Sequence, residues 1–467
     1  MSADVIQFVD SIDAKPVVRL DLNDDDVIRC RTFLAPPPRL RRSMSQNVMT
    51  DGGFVSSSQY GTRVLYIDLD LITTSQDENA AYLQKLAREL DRATNIIRYQ
   101  PAGASRPVFF KVWRSDFSAL VDMKAALAFR QASLEIVAEP FAYGLRETIS
   151  VGTVNNDPAA GSNGCYFDLA AGQILGDVPA PMLLVATGAP VDVSRSTGLF
   201  LAEKSWDTLS DAQLFHQAES MSISSGVTAA DALMSGAGSN CVEFNPGSTA
   251  TFTGLTKSAL STVAQTKATR GTYRLVAVLR RITSAGTWKA GTQGASSLTT
   301  LSTSTNRQRV DLGVVVIGDS TVSPGVDGGA PTLGSKFSLG SDLARTSGTA
   351  GVDNLRVDYL ELLPADQCTT IATLPTAGSL IGLVVDSYQE AVYKVDSTSG
   401  LFDGTASILT MATVTGGFPS VYPNRATRYS MSWVLTDGTT ASITKTDTSS
   451  VTVYYLPQYL YVRPASS

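Results

Sequence analysis

Charge is scarce in this 467-residue chain: Asp, Glu, Lys and Arg together make up 17%, against about a quarter in an average globular protein. The 37 basic and 43 acidic residues leave a net charge of −6 and form no blocks. That excludes the basic stripe of a nucleic-acid binder and the polybasic patch of a protein held on an anionic membrane. No apolar run approaches eighteen residues, so no membrane-spanning helix is expected. The opening residues MSADVIQFVD carry acid and no apolar stretch of secretion-signal length, and synthesis in a cytosol without export is the expectation. Histidine is nearly absent, His216 standing alone. Four cysteines, Cys30, Cys165, Cys241 and Cys368, lie far apart with no metal-ligand spacing. Free buried thiols are the favoured state, and a distant disulfide pairing stays open. No tandem repeat of fixed period is visible.

What is abundant is Ser, Thr and Gly, interrupting short apolar runs, with length enough for two to four domains. The expected fold is mainly β with one long helix. That helix sits in the clearest stretch. Arg63–Thr73 alternates, with Leu65, Ile67, Leu69 and Leu71 on one face, and predicts a long strand. Ser75-Gln76-Asp77-Glu78 has the form of a capping box. Leu83, Leu86, Ala87, Leu90, Thr94 and Ile97 then recur at spacings of three and four, predicting an amphipathic helix over Glu78–Ile97. Pro107–Trp113 and Ala132–Ala138 read as the next two strands, and Val5–Phe8, Pro16–Asp21 and Val27–Leu34 as earlier ones. Between them, Ala35–Arg42 (APPPRLRR) cannot be helix or central strand, because three prolines lack the N–H donor. It predicts an extended arm whose Arg39, Arg41 and Arg42 face an acidic partner, or else a solvated loop.

Beyond Thr148 the helical signal fades. Thr148–Thr153, Cys165–Leu169 and Met182–Ala186 read as strands, and 187–366 as a β-rich block with clear strands at Tyr273–Ile282, Val310–Ile317 and Leu355–Leu363. Asp211–Ala218 is the one hint of a short helix there. The last hundred residues give six strand-like runs, ending with Val451–Val462, and an Asp-Gly hairpin signal at Thr436-Asp437-Gly438. Three domains are expected: 1–147; a β-sandwich split into 148–180 and 367–467, whose halves together have the size of one domain; and 181–366 inserted within it as a jelly-roll sandwich.

No catalytic set assembles. Val316–Ser320 (VIGDS) carries the Gly-Asp-Ser of lipase-like esterases, but the helix expected after the serine is broken and His216 lies upstream without an adjacent aspartate. Gly329–Lys336 (GAPTLGSK) has its lysine displaced from a phosphate loop. Asp68 with Asp70, and Asp24-Asp25-Asp26, offer oxygens without the spacing of a cation site. No metal and no cofactor is expected. Trp206 and Trp288 are candidate sugar-stacking residues, weighed against an ordinary place in the core.

Taken in order, Tyr60–Leu65 (YGTRVL), Leu83–Leu90 (LQKLAREL), Pro107–Phe110 (PVFF), Phe129-Arg130 and Ala138–Phe141 (AEPF) resemble the N-terminal domain of bacteriophage distal tail proteins. The resemblance is to the long-tailed, non-contractile type found in phages of actinobacteria. Ile174–Pro181 (ILGDVPAP) is similar to a join that recurs in such proteins. The resemblance implies an N-terminal sandwich or split-barrel-like domain that forms a homohexameric ring between the tail tube protein and the tail-tip hub protein, near the tape measure protein. It also implies a galectin-like sandwich beyond the ring, extra sandwiches that contact host cell-wall carbohydrate in some members, and a place in the virion at the tail tip. Block 187–366 is additional to the simplest pattern. The alternatives are a carbohydrate-binding minor tail protein or adhesin without a ring role, and a hydrolase of the host envelope.

Overall fold

In the computed structural model the described residues are 4–24, 26–46, 53–120, 129–155, 166–187, 197–206, 215–220, 222–223, 226–232, 234, 240–244, 251–253, 255–256, 271–292, 298–301, 305, 307–317, 322–323, 332–333, 341–349, 351–365, 368–372, 382–395, 402–407, 413–435 and 448–462. They are mainly β, in several antiparallel sheets with one α-helix. Two compact units result: Met1–Glu147 with Leu175–Ala180 and Tyr455–Ser467, and Thr148–Ile174 with Pro181–Tyr454.

The first unit is built on strands β1 (Val5–Val9), β2 (Val18–Asp21), β3 (Ile28–Leu34), β4 (Leu40–Gln46), β5 (Gly53–Tyr60), β6 (Arg63–Ile72), β7 (Asn95–Gln100), β8 (Val108–Leu120), β9 (Phe129–Ala138) and β10 (Ala142–Tyr143). Its main sheet runs β2-β1-β7-β8-β9-β6-β3. Strand β6 pairs with β9 along its whole length, from Arg63↔Ala138 to Ile72↔Phe129. Leu65, Ile67, Leu69 and Leu71 are fully buried, while Tyr66 and Ile72 are exposed. The period-2 pattern fixes that register, since a slip of one residue would turn all four leucine and isoleucine side chains outward.

Helix α1 (Gln76–Leu90) follows. The Glu78 N–H donates to Ser75 Oγ at 3.2 Å, capping it. The Glu78 carboxylate reaches back to the N–H and hydroxyl of Thr74, one residue earlier than a capping box requires. The helix is shorter than expected. Asp91 caps it, its N–H donating to Ala87 O at 3.0 Å, and Ile97, expected on the helix, lies on β7. The physical reason is local: Asp91, Thr94 and Asn95 are short polar residues that compete for backbone hydrogen bonds, the Asn95 side chain donates to Glu89 O, and two β-branched isoleucines follow. Ile97 is still fully buried, so the 3.6-residue stripe joined core residues from two elements.

The other correction in this unit concerns residues 40–60. Only an extended arm or solvated loop at Ala35–Arg42 was expected there; its end, Leu40–Arg42, begins β4, and β4 and β5 pair from Leu40↔Tyr60 to Gln46↔Gly53 as a separate two-stranded ribbon. Ser-rich strands without an apolar alternation give no period-2 signal to read.

A second apolar cluster, Val9, Phe109 and Tyr143 with Ile12, Ile96, Phe141 and Leu145, receives Leu456 from the far end of the chain. The expected strand Val451–Val462 is divided: Thr448–Tyr455 is one strand and Gln458–Tyr459 another, broken at Pro457. The second piece pairs with β10, Ala142↔Tyr459 and Tyr143↔Gln458. Residues 455–467 therefore belong with the N-terminal unit and not with the split sandwich expected from the sequence.

In the second unit β11 (Glu147–Asn155), β12 (Tyr166–Leu169), β13 (Ala180–Thr187) and β14 (Thr197–Trp206) enter two sheets completed from the last hundred residues. One runs β11, Thr448–Tyr455, β13, Gly382–Asp386, Ala391–Val395, Phe402–Ser407, with Ser420–Val421 also on β13. The other runs β12, Ala426–Leu435, β14, Cys368–Ala372, Thr413–Thr415. Strands β13 and β14 were expected inside the inserted block, yet Leu183 pairs with Asp386 and Ala202 with Cys368. The sequence boundary at 181 followed a Pro-rich join, and strand pairing does not respect it.

Among the described residues between Trp206 and Cys368 there are two main sheets, beside two short ribbons, Ser222–Ile223 with Leu255–Thr256 and Val322–Ser323 with Thr332–Leu333. The larger runs Val227–Ala230, Asn240–Phe244, Leu355–Pro364, Gly271–Arg281, Arg307–Ile317, with Phe215–Gln217 on Leu355–Pro364. The smaller runs Thr251–Thr253, Ser341–Ser347, Thr287–Thr292, Thr299–Thr300. Their shared core holds Tyr273, Leu275, Trp288, Leu343 and Leu362. On its other side the larger sheet packs Val276 and Leu363 against Phe200 and Ala202 of β14. The helix hinted at Asp211–Ala218 does not form over its described part: Phe215–Gln217 is strand, followed by a 3-10 turn at Ala218–Ser220.

Candidate interaction surfaces

The arm carries the three candidate arginines at its root. Arg39, Arg41 and Arg42 are exposed, and Pro38 beside them is buried. The arm is fastened where the Gly61 N–H donates to Arg39 O at 2.9 Å. Arg41 lies across the glycine, its Nε 3.1 Å from where a Gly61 side chain would begin. Among the described residues none of the three arginines has an ion-pair partner. Their charges are free to meet carboxylates from outside the chain.

The candidate sugar-stacking residues fare differently. Trp288 is fully buried in the core between the two sheets of the 207–367 block, with Nε1 donating to Asp353 O at 3.0 Å. Neither ring face meets solvent, so it is a core residue and not a surface platform. Trp206 ends β14 opposite Ala426, and its side chain lies outside the described residues. An exposed tryptophan that sequence reading passed over is Trp113, 62% accessible at an irregularity in the pairing of β8 with β9. Nothing in its strand-like surroundings distinguished it from an inward residue.

Catalytic and metal chemistry find no assembled group among the described residues. Gly318-Asp319-Ser320, the side chain of His216 and most of Gly329–Lys336 lie outside them. Asp68 accepts from the Ser133 hydroxyl at 2.7 Å and Asp70 pairs with Arg31 at 3.2 Å, so both are engaged within the sheet. Asp24 accepts from the Asp26 N–H in a tight turn. No group of three or more potential ligands is found among the described residues. Cys30 and Cys241 are free thiols, and burial pushes them up to about 11 and about 12, away from reactivity. Cys165 and the Cys368 side chain lie outside the described residues. No helix is long and apolar enough to cross a membrane.

One shallow cleft of about 340 Å³ opens between β11 and β12, with Phe167 and Leu169 at its floor and Ser150, Thr153 and Asp168 at its rim. Two of its lining residues are engaged by Arg428, which pairs with both Asp168 oxygens at 2.7 and 2.8 Å and lies 3.6 Å over the Tyr166 ring. The guanidinium is thereby spent on its own sheet, and the cleft offers a ligand little beyond hydroxyls.

No protein-family model matches the chain, and no curated protein does. Among solved structures, the SPP1 Dit (gp 19.1) protein, described as a paradigm of the hub adsorption apparatus in phages infecting Gram-positive bacteria, aligns over 98% of this chain and 99% of its own at 8% identity, TM-score 0.33. Chains of the phage P2 baseplate, activated with Ca or with Sr, align over 43% of this chain and 72% of theirs, at 7% and 8% identity and TM-scores of 0.28 and 0.27. Likeness at these scores carries no argument about what this chain does.

Proposed function

We propose that this chain is a structural protein of a bacteriophage tail tip, and that six copies close into the distal ring joining tail tube to tail-tip hub through residues 1–147. The reading rests on the resemblance of Tyr60–Leu65, Leu83–Leu90 and Pro107–Phe110 to distal tail proteins. The observation that carries it onto this chain's own geometry is the β4–β5 ribbon. A two-stranded ribbon is marginal alone in water, yet this one pairs with no other strand among the described residues and bears unpaired Arg39, Arg41 and Arg42 at its root. A heterologous interface that repeats around a ring supplies what it lacks: a neighbour on which to lie and carboxylates to meet. Exposed pairs of that kind contribute about 0–1 kcal/mol each and weaken with salt.

The test is mass. Purified full chain at high concentration is expected to sediment as six copies, and deletion of residues 40–60 to return it to a monomer with the other sheets intact. Six-fold assembly that survives the deletion removes the arm from the interface. A persistent monomer, or one copy per tail tip, removes the ring and favours the adhesin reading.

The same proposal divides the rest of the chain into a galectin-like sandwich, drawn from β11–β14 and the last hundred residues, and an interposed jelly-roll block between Trp206 and Cys368. The chain leaves and returns on neighbouring strands, with Ala202 opposite Cys368, so a short turn can replace the block. Excision of 207–366 is expected to leave a cooperatively melting protein. It would expose the patch of Phe200 and Ala202 that now meets Val276 and Leu363, with lower solubility as the cost. Loss of cooperative melting would show that the block is part of the sandwich's core.

A further inference from the structure

Glu203 lies in the middle of β14, a central strand of its sheet, and is 4% exposed. Burial of a carboxylate is expensive without a cation beside it, and here none of the described residues supplies one. Its two oxygens are met instead by neutral donors. The Tyr422 hydroxyl donates to Oε1 at 2.6 Å and the Ser420 N–H to Oε2 at 2.8 Å. Ser420 belongs to a different sheet, as part of the short strand Ser420–Val421 that pairs with β13. Tyr429, next to β14 on Ala426–Leu435 and directly opposite Glu203, donates its hydroxyl to Ser420 O at 2.6 Å. One backbone residue of one sheet is thus held by its N–H and its C=O to two side chains of the other.

We propose that Glu203 is a proton-operated tie between these two sheets: neutral Glu203 lets the Ser420–Tyr422 segment close against β14, and loss of the proton loosens it. Among the described residues the titratable groups that face Glu203 are the phenols of Tyr422 and Tyr429, and no cation or second carboxylate meets it. Burial pushes the Glu203 carboxyl up from its ordinary value to about 7, against the opposing pull of the Tyr422 hydroxyl and Ser420 N–H. The sign follows from linkage. The folded chain holds this proton more tightly than the unfolded chain, so the contribution is complete below the unfolded value near 4.5 and is lost as pH rises through about 7. The tie closes in mildly acidic solution and slackens in mildly alkaline solution.

The experiment uses the full chain and two substitutions. Amide exchange of the peptide spanning residues 416–424, corrected for intrinsic rates, is compared at pH 6 and pH 8, with melting temperature followed across the same range. The parent is expected to exchange faster at pH 8 and to melt progressively lower between pH 5 and pH 8. Glu203→Gln keeps the shape and cannot ionise, and is expected to show equal protection at both values and a melting temperature that no longer falls. Tyr422→Phe removes a donor that favours the charged form, so its midpoint is expected to move to higher pH. A parent with no change in the 416–424 peptide, or a Glu203→Gln chain with the parent's pH slope, overturns the proposal. If Glu203→Gln fails to fold, a Tyr422→Phe midpoint equal to the parent's does the same.

Discussion

A chain that stops at Tyr454 is expected to lose much of the stability of its N-terminal unit, although the missing residues lie more than 300 positions from that unit's own strands. The strap formed by residues 455–462 is held in several ways. Gln458–Tyr459 extends the sheet through β10. The Gly144 N–H donates to Pro457 O and the Asp177 N–H to Gln458 O, each at 2.8 Å, and the Leu460 N–H donates to Asp177 Oδ2 at 3.0 Å. A side chain on Gly144 would begin 3.2 Å from Pro457 and from the Tyr459 ring, so glycine is what lets the strap lie flat. Leu456 enters one apolar cluster, and Tyr459 and Val462 pack against the other. With about 1 kcal/mol for each hydrogen bond and, for three half-buried apolar side chains, a fraction of the about 1.5–3 kcal/mol that full burial of each would give, the loss is on the order of 5 kcal/mol. Whole domains are stable by only about 5–15 kcal/mol. Urea melts and amide exchange over residues 63–72 and 142–147 check it, and unchanged protection there would reduce the strap to decoration.

Arg63 is the centre of that attachment. It is 1% exposed, lies 5.5 Å over the Phe110 ring, and donates to the carbonyls of Tyr459 and Leu460. No carboxylate accompanies it among the described residues, and burial lowers its pKa to about 10, still charged at neutral pH. Arg63→Met leaves two strap carbonyls short of a donor while relieving a desolvated cation. These oppose, so the net loss expected is about 1–2 kcal/mol, well below that of removing the strap.

The strap also marks how far the residues alone could be read. Alternation in Arg63–Thr73 reported the buried face of β6 because one residue in two must turn from water, and Ser75 reported the start of α1 because an orphan N–H needs an acceptor. Both signals are local. Which strand pairs with which is not local: nothing in Leu456–Val462 says that its partner is Ala142-Tyr143, and nothing in β13 says Gly382–Asp386. Domain boundaries inherit that blindness, which is why the Pro-rich join near 181 misled. Arg39, Arg41 and Arg42 were legible as exposed because prolines precede them, whereas the ribbon they introduce was not. Trp288, weighed between sugar platform and core, is buried, and Trp113, not singled out, is exposed, because an aromatic in a strand is placed by the partner across the sheet, not by its neighbours in sequence.

Asp358→Ala is expected to cost about 3–5 kcal/mol, among the largest effects of any single substitution in this chain. Asp358 is fully buried and pairs with Arg307, itself 3% exposed. The two do not sit on adjacent strands. Arg307–Ile317 and Leu355–Pro364 flank Gly271–Arg281, so the arginines reach across the intervening strand. Arg309 does likewise, donating to the Tyr359 hydroxyl at 2.7 Å and to Glu361 at 3.3 Å, with Val278 between them in the register. Both guanidinium groups lie within 6 Å of the Tyr359 ring, 5.7 and 5.8 Å from its centroid. Deleting Asp358 takes its carboxylate from a cation held in the interior, and the cost is the poorer compensation of that buried charge more than the lost attraction. The pair itself need not be stabilising, because two charges had to leave water to make it. A double substitution, Arg307→Met with Asp358→Leu, is therefore expected to recover most or all of the loss. The measurement is a double-mutant cycle of Arg307→Met, Asp358→Leu and their combination on the urea transition, with Asp358→Ala measured beside it and amide exchange over residues 271–281 and 355–364 to show which part opens. Weak dependence on salt is expected, since buried pairs escape screening. Additive losses in the double variant, or an Asp358→Ala chain as stable as the parent, would mean that the cation finds water or another acceptor, and the pair would lose its place in the core.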